Sequence, residues 1–225
     1  MATIRSGLKN LKQTLTPMSW KSRVDHLWTY YKWVPITLLV LILVAASVIP
    51  GIVESKKELL FGGLCVNCPL PEDVHARFTE DLFVFSGGTD PSRQKVTLRN
   101  TTISPDAQDP YAAYAEGTII AAQISARELD YILMDTDAKD YFSKADTSTS
   151  LEELLTTQQL AQLQEKLIYR KAANGNTYPF AIDLSGTAFA AACGMAEKGL
   201  FIAFPGNTER AEYTDEFVDF LLSWK

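Results

Sequence analysis

Histidine and cysteine are scarce in this chain: His26 and His75, and Cys65, Cys68 and Cys193, among 225 residues. Past residue 53 only His75 remains, which leaves a Ser-His-Asp triad little to draw on. No second CxxC pair is present to complete a zinc set. The loops that cradle phosphates or expose a serine nucleophile are missing too, since GxxxxGK[ST], GxGxxG and GxSxG do not occur. Nor is there an internal repeat or a low-complexity tract. Basic charge also thins out along the chain. Of 21 Lys/Arg and 27 Asp/Glu, six and one precede residue 54, leaving 15 basic against 26 acidic side chains beyond it. That portion lacks the basic surface that nucleic acid or anionic lipid requires of a partner.

What the chain has instead is one long uncharged run, Trp33 to Val53, bounded by Lys32 and Glu54. At about 1.5 Å of rise per residue, a helix of this length spans roughly 30 Å, the hydrocarbon thickness of a bilayer. A buried core helix would be shorter and less uniform, and a cleaved signal peptide carries a shorter leader and apolar run. A lipid anchor needs a cysteine directly after the run, and Cys65 lies well beyond it. Pro35 and Pro50 fall near the two ends, where a missing backbone donor is tolerated. The leading segment carries Arg5, Lys9, Lys12, Lys21, Arg23 and Lys32 against Asp25. This excess, with Trp28, Tyr30, Tyr31 and Trp33 at the interface, predicts a cytoplasmic N-terminus and an extracytoplasmic remainder. The expected plan is a basic arm (1–32), a transmembrane helix in membrane lipid (33–53), a charged stalk (54–57) and one domain (58–225). In the arm, Leu8, Leu11 and Leu15 share a helical face beside Lys9 and Lys12, the pattern of a helix lying on the membrane surface; a disordered arm is the alternative.

Beyond the stalk, apolar strand-like runs alternate with helical periodicity. ELLFGGLCVN (58–67) reads as a strand interrupted by Gly62 and Gly63. Pro71 opens a helix carrying Val74, Phe78, Leu82 and Phe85, which Gly87-Gly88 ends. A strand is expected at 94–100, then a helix from Asp109-Pro110 to about Glu128, and a buried strand at LDYILMD (129–135). Helices are expected at 139–145 and at 151–169, the second opened by a Ser150/Glu153 capping box. A strand over 174–184, a short helix in GTAFAAACGM, a strand over 199–207 and a helix over 209–224 complete the order. Alternation of this kind predicts an α/β domain with helices on both faces of a mixed, mostly parallel sheet. Ligands of such sheets bind at the carboxyl ends of the strands, here Asp135 to Asp137, Asp183 to Thr187 and Pro205 to Asn207. Ser185, Thr187, Asn207 and Thr208 equally suit ordinary helix caps.

LDYILMD, YPFAIDLSG and GLFIAFPGNTERAEYTDEFVDFLL resemble, in that order, later segments of bacterial extracellular solute-binding proteins of ABC transporters. More closely, the chain is similar to single-span membrane proteins of gut Firmicutes that carry a reduced, periplasmic-binding-like domain. The resemblance covers most of residues 58–225, although full solute-binding proteins have two lobes and about twice the length. It implies ligand contacts at Asp135, Tyr178 and Asp183, with Ser185 and Asn207 at neighbouring strand ends, and no cofactor.

A rival chemistry resides in Cys65-Val-Asn-Cys68, which has the spacing of a thiol–disulfide motif between a strand and a helix start, with Tyr178-Pro179 as a candidate facing proline. Against it, Pro69 follows the second cysteine and no aromatic precedes the first. A structural disulfide, or two apolar thiols, explains the pair better than redox catalysis does. The acid pairs Glu80/Asp81 and Asp135/Asp137 read as surface charge. Asn100-Thr101-Thr102 fits a glycosylation acceptor in a eukaryotic secretory route. The expected function is therefore a membrane-anchored solute-binding-like module that takes a small ligand or serves a membrane complex. The alternatives are a tethered thiol oxidoreductase and a non-catalytic structural envelope protein.

Overall fold

A computed structural model describes residues 19–21, 28, 33–103, 110–144, 148–172 and 175–225. The chain divides into two compact units, Met1–Lys56 and Lys57–Lys225. The expected surface helix around Leu8 to Leu15 lies outside the described residues.

Helix α1, Trp33–Ser55, is the described element of the first unit. Its stretch Ile36–Glu54 is 19 residues long and none of it is buried. Leucine, isoleucine and valine face outward on every side, from Leu38 through Val53. In water that would expose several apolar side chains per turn, so the helix has the length and composition to cross a bilayer. It runs on through Glu54 and Ser55, so half of the expected stalk is helical.

The second unit is a six-stranded mixed sheet in the order β2-β1-β3-β6-β5-β4. The strands are β1 Glu58–Val66, β2 Gln94–Thr101, β3 Tyr131–Met134, β4 Leu167–Lys171, β5 Thr177–Asp183 and β6 Phe201–Ala203. The first three are mutually parallel, because helices α2 (Glu72–Phe85) and α3 (Pro110–Ser125) carry the chain back between them. The other half is antiparallel: β6 runs against both β3 and β5, and β4 against β5. The sheet is thus mixed as expected, but not mostly parallel.

Alternating side chains divide between two apolar layers. Phe61, Cys65, Tyr131 and Leu133 point to one face, where Phe78 and Leu82 of α2 and Phe217 and Leu221 of α7 (Thr214–Ser223) cover them. The short helix α6 (Ala188–Ala192) adds Phe189 to this layer. Leu64, Val66, Ile132 and Met134 point the other way, toward Ile120 of α3 and Phe142 of α4 (Thr136–Lys144). Gly63 is small for a reason: a Cβ there would lie 2.2 Å from the Tyr131 ring. Helix α2 ends as its glycines predict. Gly87, at φ 73°, and Gly88 return their N–H groups to Val84 and Phe83 in a Schellman closure.

Two expectations change in the middle of the chain. The single helix over 151–169 is broken into a 3-10 turn at Leu151–Glu153, helix α5 (Thr157–Gln162), a second 3-10 turn and strand β4. The capping box is Thr156 with Gln159, not Ser150 with Glu153, and Ser150 instead accepts from the Glu152 amide. Strand β4 follows because Arg170, only 6% exposed, donates to the Tyr178 hydroxyl and lies 4.9 Å from the centre of that ring on β5. The last helix is likewise shorter than 209–224, beginning with a 3-10 turn at Ala211–Tyr213.

Candidate functional site

Asp135 directly follows β3 and caps α4, its Oδ1 accepting from the Ala138 amide at 2.9 Å. Its neighbour across the sheet end is Asn67, held at φ 58° just past β1. Asn67 is tied to the backbone of Ile103 in both directions, at 2.8 Å each, and reaches Asp135 at 3.4 Å. On β5, Asp183 accepts from the Ser185 amide at 2.8 Å and from its hydroxyl. Asp135 and Asp183 thus share the carboxyl end of the sheet, two strand spacings or about 10 Å apart. The space between them is filled. Thr136 donates to the Lys198 carbonyl at 3.0 Å, and the Leu200 amide donates to the Ser185 hydroxyl at 3.1 Å. The chain entering β6 therefore runs through the expected crevice and is bonded on both sides.

Tyr178 and Asn207 lie elsewhere. Tyr178 is near the start of β5, five residues or about 17 Å along the strand from Asp183. There it lines a broad depression of about 610 Å³ with Ser148, Ser150, Glu152 and Glu153. Asn207 follows β6, and because β6 is antiparallel its carboxyl end belongs to the opposite edge of the layer. Its amide donates to the Ile124 carbonyl at 2.6 Å, closing the end of α3. The five residues expected to share a ligand divide between the two ends of the sheet, Tyr178 about 17 Å along β5 from Asp183 and Ser185.

The cysteines do come together. Cys65 and Cys68 are fully buried, Cys193 is 5% exposed, and all three pack in the layer beneath α2, α6 and α7. They are unbonded. The Cys68 thiol beside it, and then burial, push the Cys65 thiol well above its ordinary range. Burial raises Cys193 to about 12, with Cys68 adding to the effect. An activated nucleophile needs the opposite shift and access to solvent. Pro179 is not placed to assist: β5 is three positions from β1 in the sheet, and cis peptides are absent among the described residues. Among the described residues no group of three or more His, Cys, Asp or Glu is arranged to hold a metal ion. His75 instead sits 3.1 Å from the Leu98 carbonyl.

The amino end of the sheet holds what the sequence did not announce. Asp130, 2% exposed, precedes β3 and accepts from the Gly62 amide at 2.8 Å. It also accepts from the Thr208 hydroxyl and from Arg210 at 3.3 Å, while Arg210 donates to the Leu59 carbonyl at 2.6 Å. Arg210, held from behind by the buried Asp130, lines a cavity of about 410 Å³ together with Glu58, Phe61, Phe85, Tyr213 and Glu216. Aromatic faces beside two carboxylates suit a small molecule with an apolar body and a cationic or hydrogen-bond-donating group. The one sequence signal was an aspartate set directly against a buried strand, where a charge needs a partner. Searches against protein-family models, curated proteins and solved structures find no match to the chain.

Proposed function

We propose that the chain is a single-pass membrane protein with a cytoplasmic N-terminus, whose α/β domain works outside the cytoplasm as a solute-binding-like module. Helix α1 carries this reading: its stretch Ile36–Glu54 is uncharged up to Glu54, apolar on all sides and not buried. Orientation rests on the six basic residues against one acid that precede Trp33, the side that stays in the cytoplasm. Binding is favoured over covalent chemistry because all three cysteines are buried and the Cys65 and Cys193 thiols are pushed upward. The acids at the carboxyl end are committed to helix and turn closure. The favoured seat for a ligand is the cavity beside Arg210, with Glu58 and Glu216 as the polar contacts. The chain running through the carboxyl-end crevice favours this cavity over it.

Protease added to right-side-out cells tests the topology. The expected product is loss of the acidic domain with the basic arm protected, and a domain degraded only after lysis would overturn the reading. Alkaline carbonate should leave the chain in the membrane pellet. For the ligand, the full chain in detergent is melted with small aromatic amines and with their neutral analogues. A rise in Tm confined to the amines, and lost in Glu216→Gln, is expected.

A further inference from the structure

We propose that Cys65 and Cys68 close a disulfide in the mature protein, with Cys193 left as the single thiol. Every cysteine of the chain lies in one apolar layer, and two of them flank a two-residue bend. Phe61 and Cys65 share a face of β1, and after the bend Cys68 returns to that same face rather than to the one holding Leu64 and Val66. The bend is fixed. Asn67 takes its left-handed conformation with its amide donating to the Thr101 carbonyl at 3.0 Å and its side chain bonded twice to Ile103. The backbone between the two sulfurs is therefore held by the end of β2 whether or not they are joined. Cys68 is also the largest influence on the Cys65 thiol. Cys193 arrives from the end of α6, more than a hundred residues later, close enough to influence Cys65 and be influenced by Cys68, and is the rival partner for either.

Closure is a thiol–disulfide exchange. One cysteine thiolate attacks a disulfide oxidant, either oxidised glutathione or a protein disulfide, and expels one thiol of it. The second cysteine then displaces the other, so that two protons and two electrons leave the chain and the oxidant departs as two thiols. Burial prevents this once the domain has folded, which assigns the reaction to the unfolded or partly folded chain. In the cell it rests on the extracytoplasmic placement proposed above, where such oxidants are present. In a glutathione buffer it does not.

The test is alkylation of the full chain, extracted from membranes and denatured in the presence of the reagent, followed by trypsin and mass spectrometry. Cys65 and Cys68 fall in one tryptic peptide, residues 58–77, and Cys193 in another, residues 172–198. The expected result is peptide 58–77 unalkylated and lighter by two hydrogens, with Cys193 alkylated; Cys193→Ala should leave this unchanged. A cross-link of either Cys65 or Cys68 to Cys193 would overturn the proposal. So would full alkylation both in cells and after refolding of the chain in detergent with oxidised glutathione. If refolding closes the pair and cells yield only thiols, the pairing stands and the assigned topology falls.

Discussion

Asp130 shows how one charge holds a strand end. Buried at 2% exposure, it accepts from Gly62 of β1 and from Thr208 and Arg210 of the segment after β6, two stretches of chain far apart in sequence. Breaking a buried pair by removing one partner leaves the other charge stranded, at a cost of about 3–5 kcal/mol. Asp130→Asn and Arg210→Ala should each lower stability by about 3 kcal/mol in guanidinium titrations of the detergent-solubilised chain. The double variant should cost clearly less than the two together, because the stranded charge is gone. Equal additivity would show that the pair contributes no coupling. Asn67 is the same kind of residue, recognisable only once β2 and β3 are set beside it.

At the level of elements, α3 ends in a Schellman closure like that of α2, with Arg127 at φ 57° where α2 has Gly87. A left-handed conformation costs an L-residue about 1–2 kcal/mol, and glycine avoids it. Against this, the Arg127–Glu209 pair is more than half exposed on both sides and contributes little. Arg127→Gly is therefore expected to stabilise the domain by about 0.5–1 kcal/mol, seen as a raised denaturation midpoint. Elements with their own local signals were legible: α2 from its proline, acids and terminal glycines, β3 as an apolar run, α7 from Phe217, Phe220, Leu221 and Trp224. Strand β4 was not, because Leu167 to Lys171 follows a glutamine-rich helix without a glycine or proline to separate them. Its strand character comes from Tyr178 and Phe180 beneath Arg170. The direction of β6 was equally invisible, since Phe-Ile-Ala reads the same parallel or antiparallel. That one ambiguity placed Asn207 at the wrong end of the sheet and left open a crevice that Lys198 to Leu200 fill.

The whole molecule joins an apolar helix to an acidic domain whose core holds protonated groups. Tyr131 is held above its ordinary range by burial first, then by Cys65 and Asp130, and Cys193 is raised to about 12. These groups keep their protons in the folded state after the unfolded chain has begun to release them. The stability this gives is fully present below the unfolded values, near 9 for the thiol and 10 for the phenol. It is lost as pH rises through the folded values, by up to about 1.4 kcal/mol per pH unit for each group. Melting followed from pH 8 to 11 should show Tm falling from about pH 9 upward, with a shallower fall in Cys193→Ala. A flat profile would mean that neither group is buried as described.

Strand β6 is the last strand made and yet stands between β3 and β5. Until Phe201 to Ala203 have been synthesised, the parallel and antiparallel halves have nothing to join them, and each carries an unpaired border of backbone donors and acceptors. The sheet can be completed only after this keystone has been made. On the topology proposed above, that delay would keep the polypeptide pliable during passage and commit it to its final shape only near the end of transit.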